Sequence, residues 1–460
     1  MDHVTEQEGA AATTPASGDE YGGADAVAAR SGRRGPRARG RTLRGGLAAA
    51  AAGLLALAAF ASPASAAPGS ESASSASSTP EPATAASPAP TTAPTTAPTT
   101  PPTTVPTAAS LPAPTGPHTV GATFLYLKDT SRPDPWVPEV KARELMVSLW
   151  YPAKKPQGGR RAPYMTPQES EALLRREGVT GVPFDILSRT RTNAFLDAKP
   201  TGRRRGLPLV VLSPGYTKPR STLTGLAEDL ASRGYVVVGI DHTYENYGTS
   251  FPDGRVTPCA ACEVDDGPDF GRKAVEGRAA DVSFVLDELT GRHPKWRGAS
   301  LIDPSRIGMS GQSLGGASAL AALLKDDRIR AGIDTDGTTY APIPPSGLAK
   351  PFMFFGSEGH GPGGAPSWER DWKLLTGWKR WLVLAGAEHA SFTDLILLAD
   401  QFGIEHRTTV PGARSLEITR RYVRAFFDLH LNGRPQPLLD DPSARYPEVK
   451  HCSTDTRTCA

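Results

Sequence analysis

The feature that most constrains this chain is the sharp turn predicted at residues 311–315, which read Gly-Gln-Ser-Leu-Gly. A short apolar segment, Arg306–Ser310, precedes the turn, and small residues that favour a helix follow it at 317–324. A strand, a G-x-S-x-G turn and a helix together predict a nucleophile elbow, in which flanking glycines permit a strained backbone that exposes the serine hydroxyl. We therefore predict that Ser313 is a nucleophile and that Leu314 N–H faces an oxyanion. The alternative is a glycine-rich turn with a passive serine.

A nucleophilic serine requires a histidine base and an acid that orients it. In α/β-hydrolases the chain order is serine, acid, histidine. His389 follows the apolar run Trp381–Ala385, so it lies in the loop after the last predicted strand and can reach the elbow. His360 lies in a Gly/Pro loop and His430 lies on an amphipathic helix, so His389 is the predicted base.

The residues alone leave the identity of the acid open. Asp334 and Asp336 follow one predicted strand, and Glu358 follows the next. The acid stands after the later strand in many hydrolases and one strand earlier in others.

From about His118 to Asn432 the chain resembles the platelet-activating factor acetylhydrolase group of α/β-hydrolases, in its secreted bacterial form. Apart from the elbow, the resemblance rests on six segments: Arg143–Pro152, Pro208–Tyr216, Asp229–Val237, Ile240–His242, Gly332–Asp336 and His389–Asp394. The resemblance implies that Asp336 is the acid, and that Tyr216 N–H is the second oxyanion donor beside Leu314 N–H. The chain departs from the group at Pro214 and Gln312, where the group usually has histidine.

The order of strands and helices after His118 predicts an α/β fold of the α/β-hydrolase type, with a mostly parallel sheet covered by helices on both faces. The predicted strands are Leu145–Trp150, Leu209–Leu212, Tyr235–Ile240, Arg306–Met309, Ile329–Ile333, Phe352–Phe355 and Trp381–Leu384. The predicted helices are Ser221–Ser232, Gly271–Leu289, Gly315–Leu324, Trp368–Leu375, Phe392–Asp400 and Leu416–Leu431. An insertion at 162–200, with a helical patch from Pro167 to Glu177, is either surface decoration or a small cap over the site.

The first 117 residues predict export and a tether. Residues 1–66 contain seven arginines between Arg30 and Arg44, then a 14-residue apolar run and a small-residue cleavage site at 64–66. This pattern is typical of a signal peptide, and the alternative is an uncleaved membrane anchor. Residues 67–117 are rich in Ser, Thr, Pro and Ala, which predicts a disordered linker that could associate the domain at 118–460 with a cell wall or membrane surface.

Charge and cysteines narrow the chemistry further. A net charge of +3 over 460 residues is too small to indicate a nucleic-acid-binding protein. For an exported protein, the four cysteines predict the disulfides Cys259–Cys262 and Cys452–Cys459. We expect no metal and no cofactor.

Two functions follow from these residues. The first is a secreted, monomeric serine carboxylic ester hydrolase, a lipase or esterase acting on a small-molecule or lipid ester through an acyl-enzyme on Ser313. The second is a non-catalytic cell-envelope binding module on a hydrolase fold. Tyr216, Tyr244, Tyr247 and Trp368 are either pocket-lining or packing residues.

Overall fold

The computed structural model describes residues 107–460, which fold around one large sheet. The strands of this part of the chain are β1 (Thr119–Asp129), β2 (Arg143–Ala153), β3 (Phe195–Leu196), β4 (Leu207–Ser213), β5 (Val236–Asp241), β6 (Thr249–Ser250), β7 (Val256–Thr257), β8 (Ile302–Gln312), β9 (Ile329–Thr335), β10 (Phe352–Ser357), β11 (Lys379–Leu384), β12 (Val449–Ser453) and β13 (Thr458–Cys459). Strands β6 and β7 form a separate small ribbon.

The large sheet has eleven strands in the order β13-β12-β11-β10-β9-β8-β4-β5-β2-β1-β3. The six neighbours from β11 to β5 run parallel, whereas β2 and β12 pair antiparallel with the two ends of this block. The prediction of a mostly parallel sheet is therefore confirmed. Because parallel strands end at the same edge, the loops after β4, β8, β9, β10 and β11 all emerge there.

Helices cover both faces of the sheet, as predicted. Within residues 107–460 the α-helices are α1 (Pro167–Arg176), α2 (Thr224–Ser232), α3 (Phe270–Thr290), α4 (Leu314–Lys325), α5 (Pro366–Trp372), α6 (Asp394–Phe402) and α7 (Gly412–Asn432). The 3₁₀ turns are Ile186–Arg189, Arg220–Leu223, Ala261–Glu263, Ala299–Leu301, Glu358–His360, His389–Phe392 and Pro437–Leu439.

The sheet separates two hydrophobic cores. Alternate strand residues point to opposite faces, so Leu209 and Val211 of β4 pack with α3 and α4, whereas Val210 and Leu212 pack with α2 and α7. Both faces are covered, which explains why the central strands are nearly continuous apolar runs in the sequence.

The insertion at 162–200 contributes to a third, smaller core. Leu173 and Leu174 of α1, with Ile186 and Leu187 of the following 3₁₀ turn, are buried against α6 and the start of α7. Ala109 and Leu111 join this cluster, and Leu111 N–H donates to the Arg191 carbonyl at 2.9 Å. The packed domain thus includes residues ahead of the predicted start at His118.

All four cysteines are paired in the predicted combination, Cys259 with Cys262 and Cys452 with Cys459. The second pair closes the hairpin of β12 and β13 at the end of the chain. No helix within the described residues is both long enough and apolar enough to cross a membrane.

Reduction of the two disulfides should lower the melting temperature only modestly and leave the active site working. The sequence separations are 3 and 7 residues, and a cross-link that closes so short a loop restrains the unfolded chain by no more than about 3 kcal/mol. Thiol titration in denaturant without reductant, with melting curves before and after reduction, measures both claims. Four reactive thiols in the unreduced protein would contradict the pairing.

Candidate active site

Ser313 occupies a strained turn between β8 and α4. Its backbone has φ 57° and ψ −126°, a conformation that side-chain-bearing residues rarely adopt. Only glycine fits at the two flanking positions. A Cβ on Gly311 would lie 2.2 Å from the Gly315 carbonyl carbon, and a Cβ on Gly315 would lie 2.0 Å from the Ser213 carbonyl oxygen. The turn therefore has the tight packing that a nucleophile elbow needs.

His389 and Asp336 meet at the same edge of the sheet. His389 begins the 3₁₀ turn after β11, and its Nδ1 lies 2.6 Å from Asp336 Oδ2. Asp336 directly follows β9, has a φ of 60° and is 2% exposed, whereas the His389 side chain is 38% exposed. Among the described residues no direct hydrogen bond joins Ser313 to His389. Such contacts often form only in the substrate complex.

The other oxygen of Asp336 is also held. Oδ1 accepts a hydrogen bond from Ser357 N–H at 2.6 Å, and His360 Nδ1 lies 2.8 Å from it. From its position in a Gly/Pro loop, His360 was a weaker candidate for the base than His389, and its contact with Asp336 was not predicted. The two histidines lie in loops after different strands, and only the fold brings both to one carboxylate.

These contacts keep Asp336 ionised. Burial alone would raise the pKa of Asp336, but hydrogen bonds from His360 and His389, with their electrostatic attraction for the carboxylate, hold this pKa well below its ordinary value. A permanent carboxylate at Nδ1 keeps the proton of neutral His389 on that nitrogen. Nε2 is then free to accept a proton from a hydroxyl group.

The acid limb of the pH–rate profile should therefore show a single protonation step, with no step from Asp336. Because the pKa of Asp336 is lowered in the folded state, its stabilising contribution is complete above the ordinary carboxyl range and is lost only as pH falls towards the lowered value. Measuring kcat/KM from pH 4 to 9 tests whether Asp336 stays ionised over this range. A second protonation step between pH 4 and 6 would contradict the assignment of Asp336 as a permanently ionised partner.

Neither alternative acid reaches the base. Glu358 is exposed, and its Oε1 accepts from Gly386 N–H at 3.3 Å, in the loop before His389. Asp334 is fully buried, and its Oδ1 accepts from Gly337 N–H at 2.9 Å. Burial, with the nearby charge of Asp336, raises the pKa of Asp334 well above its ordinary value, which favours the neutral form of this group.

Gln312, the departure noted in the elbow, connects the serine and the base. Its side chain is 3% exposed, and Nε2 donates to the backbone carbonyl of His389 at 2.9 Å. Gly215 lies directly against it, since a Cβ there would be 2.4 Å from Gln312 Oε1. The amide thus links the elbow to the loop that carries His389.

The two predicted oxyanion donors also lie beside the elbow. Leu314 is the first residue of α4, where N–H groups have no acceptor within the helix. Tyr216 N–H has no backbone or side-chain acceptor within residues 107–460. The Tyr216 ring packs on Phe270 with centroids 5.1 Å apart, and its hydroxyl lies 3.2 Å from Asp265 Oδ2.

Trp368, one of the four aromatic residues considered for a pocket, is instead a core residue. It is 0% exposed and stacks on Phe354 with ring centroids 4.5 Å apart. His430, the other histidine considered, packs between Trp378 and Phe426 on α7.

Comparisons with known proteins find relatives that are named as esterases and hydrolases. The family model described as platelet-activating factor acetylhydrolase, isoform II, matches residues 103–251. A probable 1-alkyl-2-acetylglycerophosphocholine esterase from Arthroderma benhamiae is 29% identical over 375 residues, which is 74% of this chain and 92% of that protein. A bis(hydroxyethyl) terephthalate hydrolase from Streptomyces coelicolor is 30% identical over 174 residues, 38% of this chain and 47% of that protein.

The solved structures include a ferulic acid esterase from Streptomyces cinnamoneus. It superposes with a TM-score of 0.67 at 42% sequence identity. The match covers 75% of this chain and 99% of that structure.

Proposed function

Because this chain belongs to the α/β-hydrolase esterases related to platelet-activating factor acetylhydrolase, it is a carboxylic ester hydrolase, and we propose that Ser313, His389 and Asp336 are its catalytic triad. The observation that carries the proposal is the 2.6 Å contact between His389 Nδ1 and Asp336 Oδ2 beside a serine in a strained elbow. A module that only binds needs none of this arrangement, and relatives named as esterases and hydrolases favour the enzyme.

The first half of the proposed reaction forms an acyl-enzyme. His389 Nε2 takes the proton of the Ser313 hydroxyl as its oxygen attacks the ester carbonyl. The carbonyl oxygen becomes an oxyanion, which accepts hydrogen bonds from Leu314 N–H and Tyr216 N–H. His389 then gives its proton to the departing alcohol, and the C–O bond of the ester breaks.

The second half releases the acid. Water loses a proton to His389 and attacks the acyl carbon, and the same two N–H groups stabilise the second tetrahedral intermediate. As this intermediate collapses, the protonated His389 returns a proton to Ser313. Asp336 remains a carboxylate throughout and stabilises the imidazolium form of His389.

We propose that the substrate is an ester with a short acyl chain, carried by a small molecule or a lipid. Relatives named for acetylglycerophosphocholine, terephthalate and ferulic acid esters support an ester of modest acyl size. The test is kcat/KM for p-nitrophenyl esters from acetyl to dodecanoyl, followed by one ester of each of the three named kinds, with Ser313→Ala as the blank. Turnover above that blank for the short esters is expected. No turnover of any ester would overturn the proposal.

We also propose that the protein is exported, with residues 1–66 as signal peptide and a linker that starts at residue 67 and ends before the packed residue Ala109. The paired cysteines support this, since disulfides persist in oxidising compartments. N-terminal sequencing of protein recovered from culture medium should find a start near Ala67. Intact protein confined to the cytosol would overturn the proposal.

A further inference from the structure

A cluster of fully buried ionisable residues lies behind the loop that carries Tyr216. We define this oxyanion loop as residues 213–218. The cluster comprises Arg143, His242, Glu245, Arg278 and Asp281, each 0% exposed. Buried charges are costly unless each is paired and hydrogen-bonded, so the cluster holds its members in defined positions.

One branch of the cluster repeats the residue types of the catalytic triad. His242 Nδ1 lies 2.7 Å from Asp281 Oδ2, and His242 Nε2 lies 2.9 Å from Ser213 Oγ. Burial and the nearby charge of Arg278 lower the pKa of His242, so its ring is neutral. Nδ1–H then donates to Asp281, and Nε2 accepts from the Ser213 hydroxyl. No substrate reaches these buried groups, so their role lies in holding the oxyanion loop.

The second branch reaches the loop directly. Arg278 donates from one terminal nitrogen to the Pro214 carbonyl at 2.6 Å and to Ser213 Oγ at 3.3 Å. Its Nε donates to Glu245 Oε2 at 2.7 Å. The backbone carbonyl of Glu245 in turn accepts from Thr217 N–H at 2.9 Å. The Arg278–Glu245 pair therefore hydrogen-bonds to the oxyanion loop on both sides of Tyr216, at Pro214 and at Thr217.

Two carbonyl contacts fix the direction of the donor. The Pro214 carbonyl points at Arg278, and the Gly215 carbonyl accepts from Lys218 N–H at 3.3 Å. A trans peptide is planar, with its N–H directed opposite to its C=O, so fixing the Gly215 carbonyl also fixes Tyr216 N–H. Arg278 thereby sets the peptide plane immediately before the one that carries the donor.

We propose that Arg278 is a positioning residue of the oxyanion hole, which aims Tyr216 N–H by holding the Pro214 carbonyl. The inference rests on the proposed triad and on Tyr216 as a donor. An oxyanion donor contributes about 10²- to 10³-fold to kcat, and a donor that is present but misaligned loses part of this. Loss of Arg278 should therefore lower kcat about 10- to 100-fold with little change in KM.

The test variant is Arg278→Met with Glu245→Gln, which removes both charges of the pair. The control is Arg420→Met. Arg420 is also buried, at 5% exposure, and donates to the carbonyls of Pro112 and Ala113 at 3.3 and 3.5 Å, with no hydrogen bond to the cluster or to the oxyanion loop. Both variants lose a buried arginine, so a difference between them reports on the loop rather than on the loss of a buried charge.

Rates are expressed per Ser313 titrated with an organophosphonate, and inhibition is measured with an aryl trifluoromethyl ketone, which forms an oxyanion on the serine. For the Arg278 variant we expect kcat to fall about 10- to 100-fold, the inhibition constant to rise in the same proportion, and the acid limb of the pH profile to stay in place. The Arg420 variant should keep kcat and the inhibition constant within about threefold of the wild type, per titrated site.

Unchanged kcat and unchanged ketone affinity per titrated site in the Arg278 variant would overturn the inference. Equal losses in both variants would overturn it as well, because a structural role would then suffice. A wild-type enzyme that hydrolyses esters without being titrated at Ser313 would instead contradict the triad itself. If the Arg278 double variant does not fold, the same measurements are made on Arg278→Lys, which keeps the positive charge. For this variant, too, we expect kcat to fall and the inhibition constant to rise.

Discussion

Replacement of Ser313 with alanine should lower kcat for a chromogenic acetate ester by about 10³- to 10⁶-fold and leave the fold intact. The hydroxyl is the only group in the elbow that can form the acyl-enzyme. Its removal leaves hydrogen bonds to the oxyanion as the remaining source of rate enhancement. Alanine adds no atoms, so the tight contacts of Gly311 and Gly315 are undisturbed.

Steady-state kinetics of the purified variant measures the effect, with melting curves to show that it is folded. The matched control is Ser310→Ala, at a buried serine three residues earlier in β8. Near wild-type turnover by Ser313→Ala, with the preparation free of other esterases, would exclude the proposed nucleophile.

Replacement of Asp336 with asparagine should lower kcat about 10⁴-fold, because an amide lets the histidine present the wrong nitrogen to the serine. Glu358→Gln should change kcat by no more than a few-fold, since Glu358 is exposed and contacts Gly386 N–H rather than the imidazole. Asp334→Asn should also retain activity, because Asp334 does not contact His389 and burial favours its neutral form, whose shape asparagine nearly matches.

The three variants share one chemical change, from carboxyl to amide, at Asp334 within β9, Asp336 directly after β9 and Glu358 directly after β10. Their kcat values, measured at the pH optimum of the wild type, rank the candidate acids. Retained activity in Asp336→Asn together with loss in Glu358→Gln would move the acid one strand later. Loss in Asp334→Asn alone would assign it to the buried position.

Much of the fold could be predicted because the central strands are buried on both faces. Such strands are short apolar runs, and all seven predicted strands lie within or overlap strands of the structure. Strand β1 was not predicted; its later residues alternate between buried and exposed positions, unlike the central strands that are covered on both faces. The terminal hairpin was missed because β13 has only two residues and is closed by a disulfide.

The candidate site was predictable where a motif or the resemblance marked it. Ser313, Leu314 and His389 follow strands directly, so the order of elements placed them at one edge. The acid required the resemblance, since two acidic residues and a third one strand later all fit the sequence. The roles of Gln312 and His360 depend on contacts between loops that are far apart in sequence, and no local pattern marks them.

The buried cluster behind the oxyanion loop could not be predicted from the sequence either, because its members lie on elements that are far apart in the chain. Apolar residues of α3 such as Ala279 and Val282 recur at helical spacing and are buried. Arg278 and Asp281 are buried on the same helix, but apolar periodicity assigns charged residues to solvent by default. Their burial follows from partners on β2 and on the loops after β4 and β5.

Covalent labelling of Ser313 tests the central claim most directly. The protein is treated with an organophosphate ester, digested and analysed by mass spectrometry, while residual esterase activity is followed on the same sample. We predict one phosphoryl group per chain on the peptide that contains Ser313, activity lost in proportion to labelling, and no adduct in Ser313→Ala. An adduct confined to another residue, or full activity after complete labelling of Ser313, would contradict the proposed mechanism.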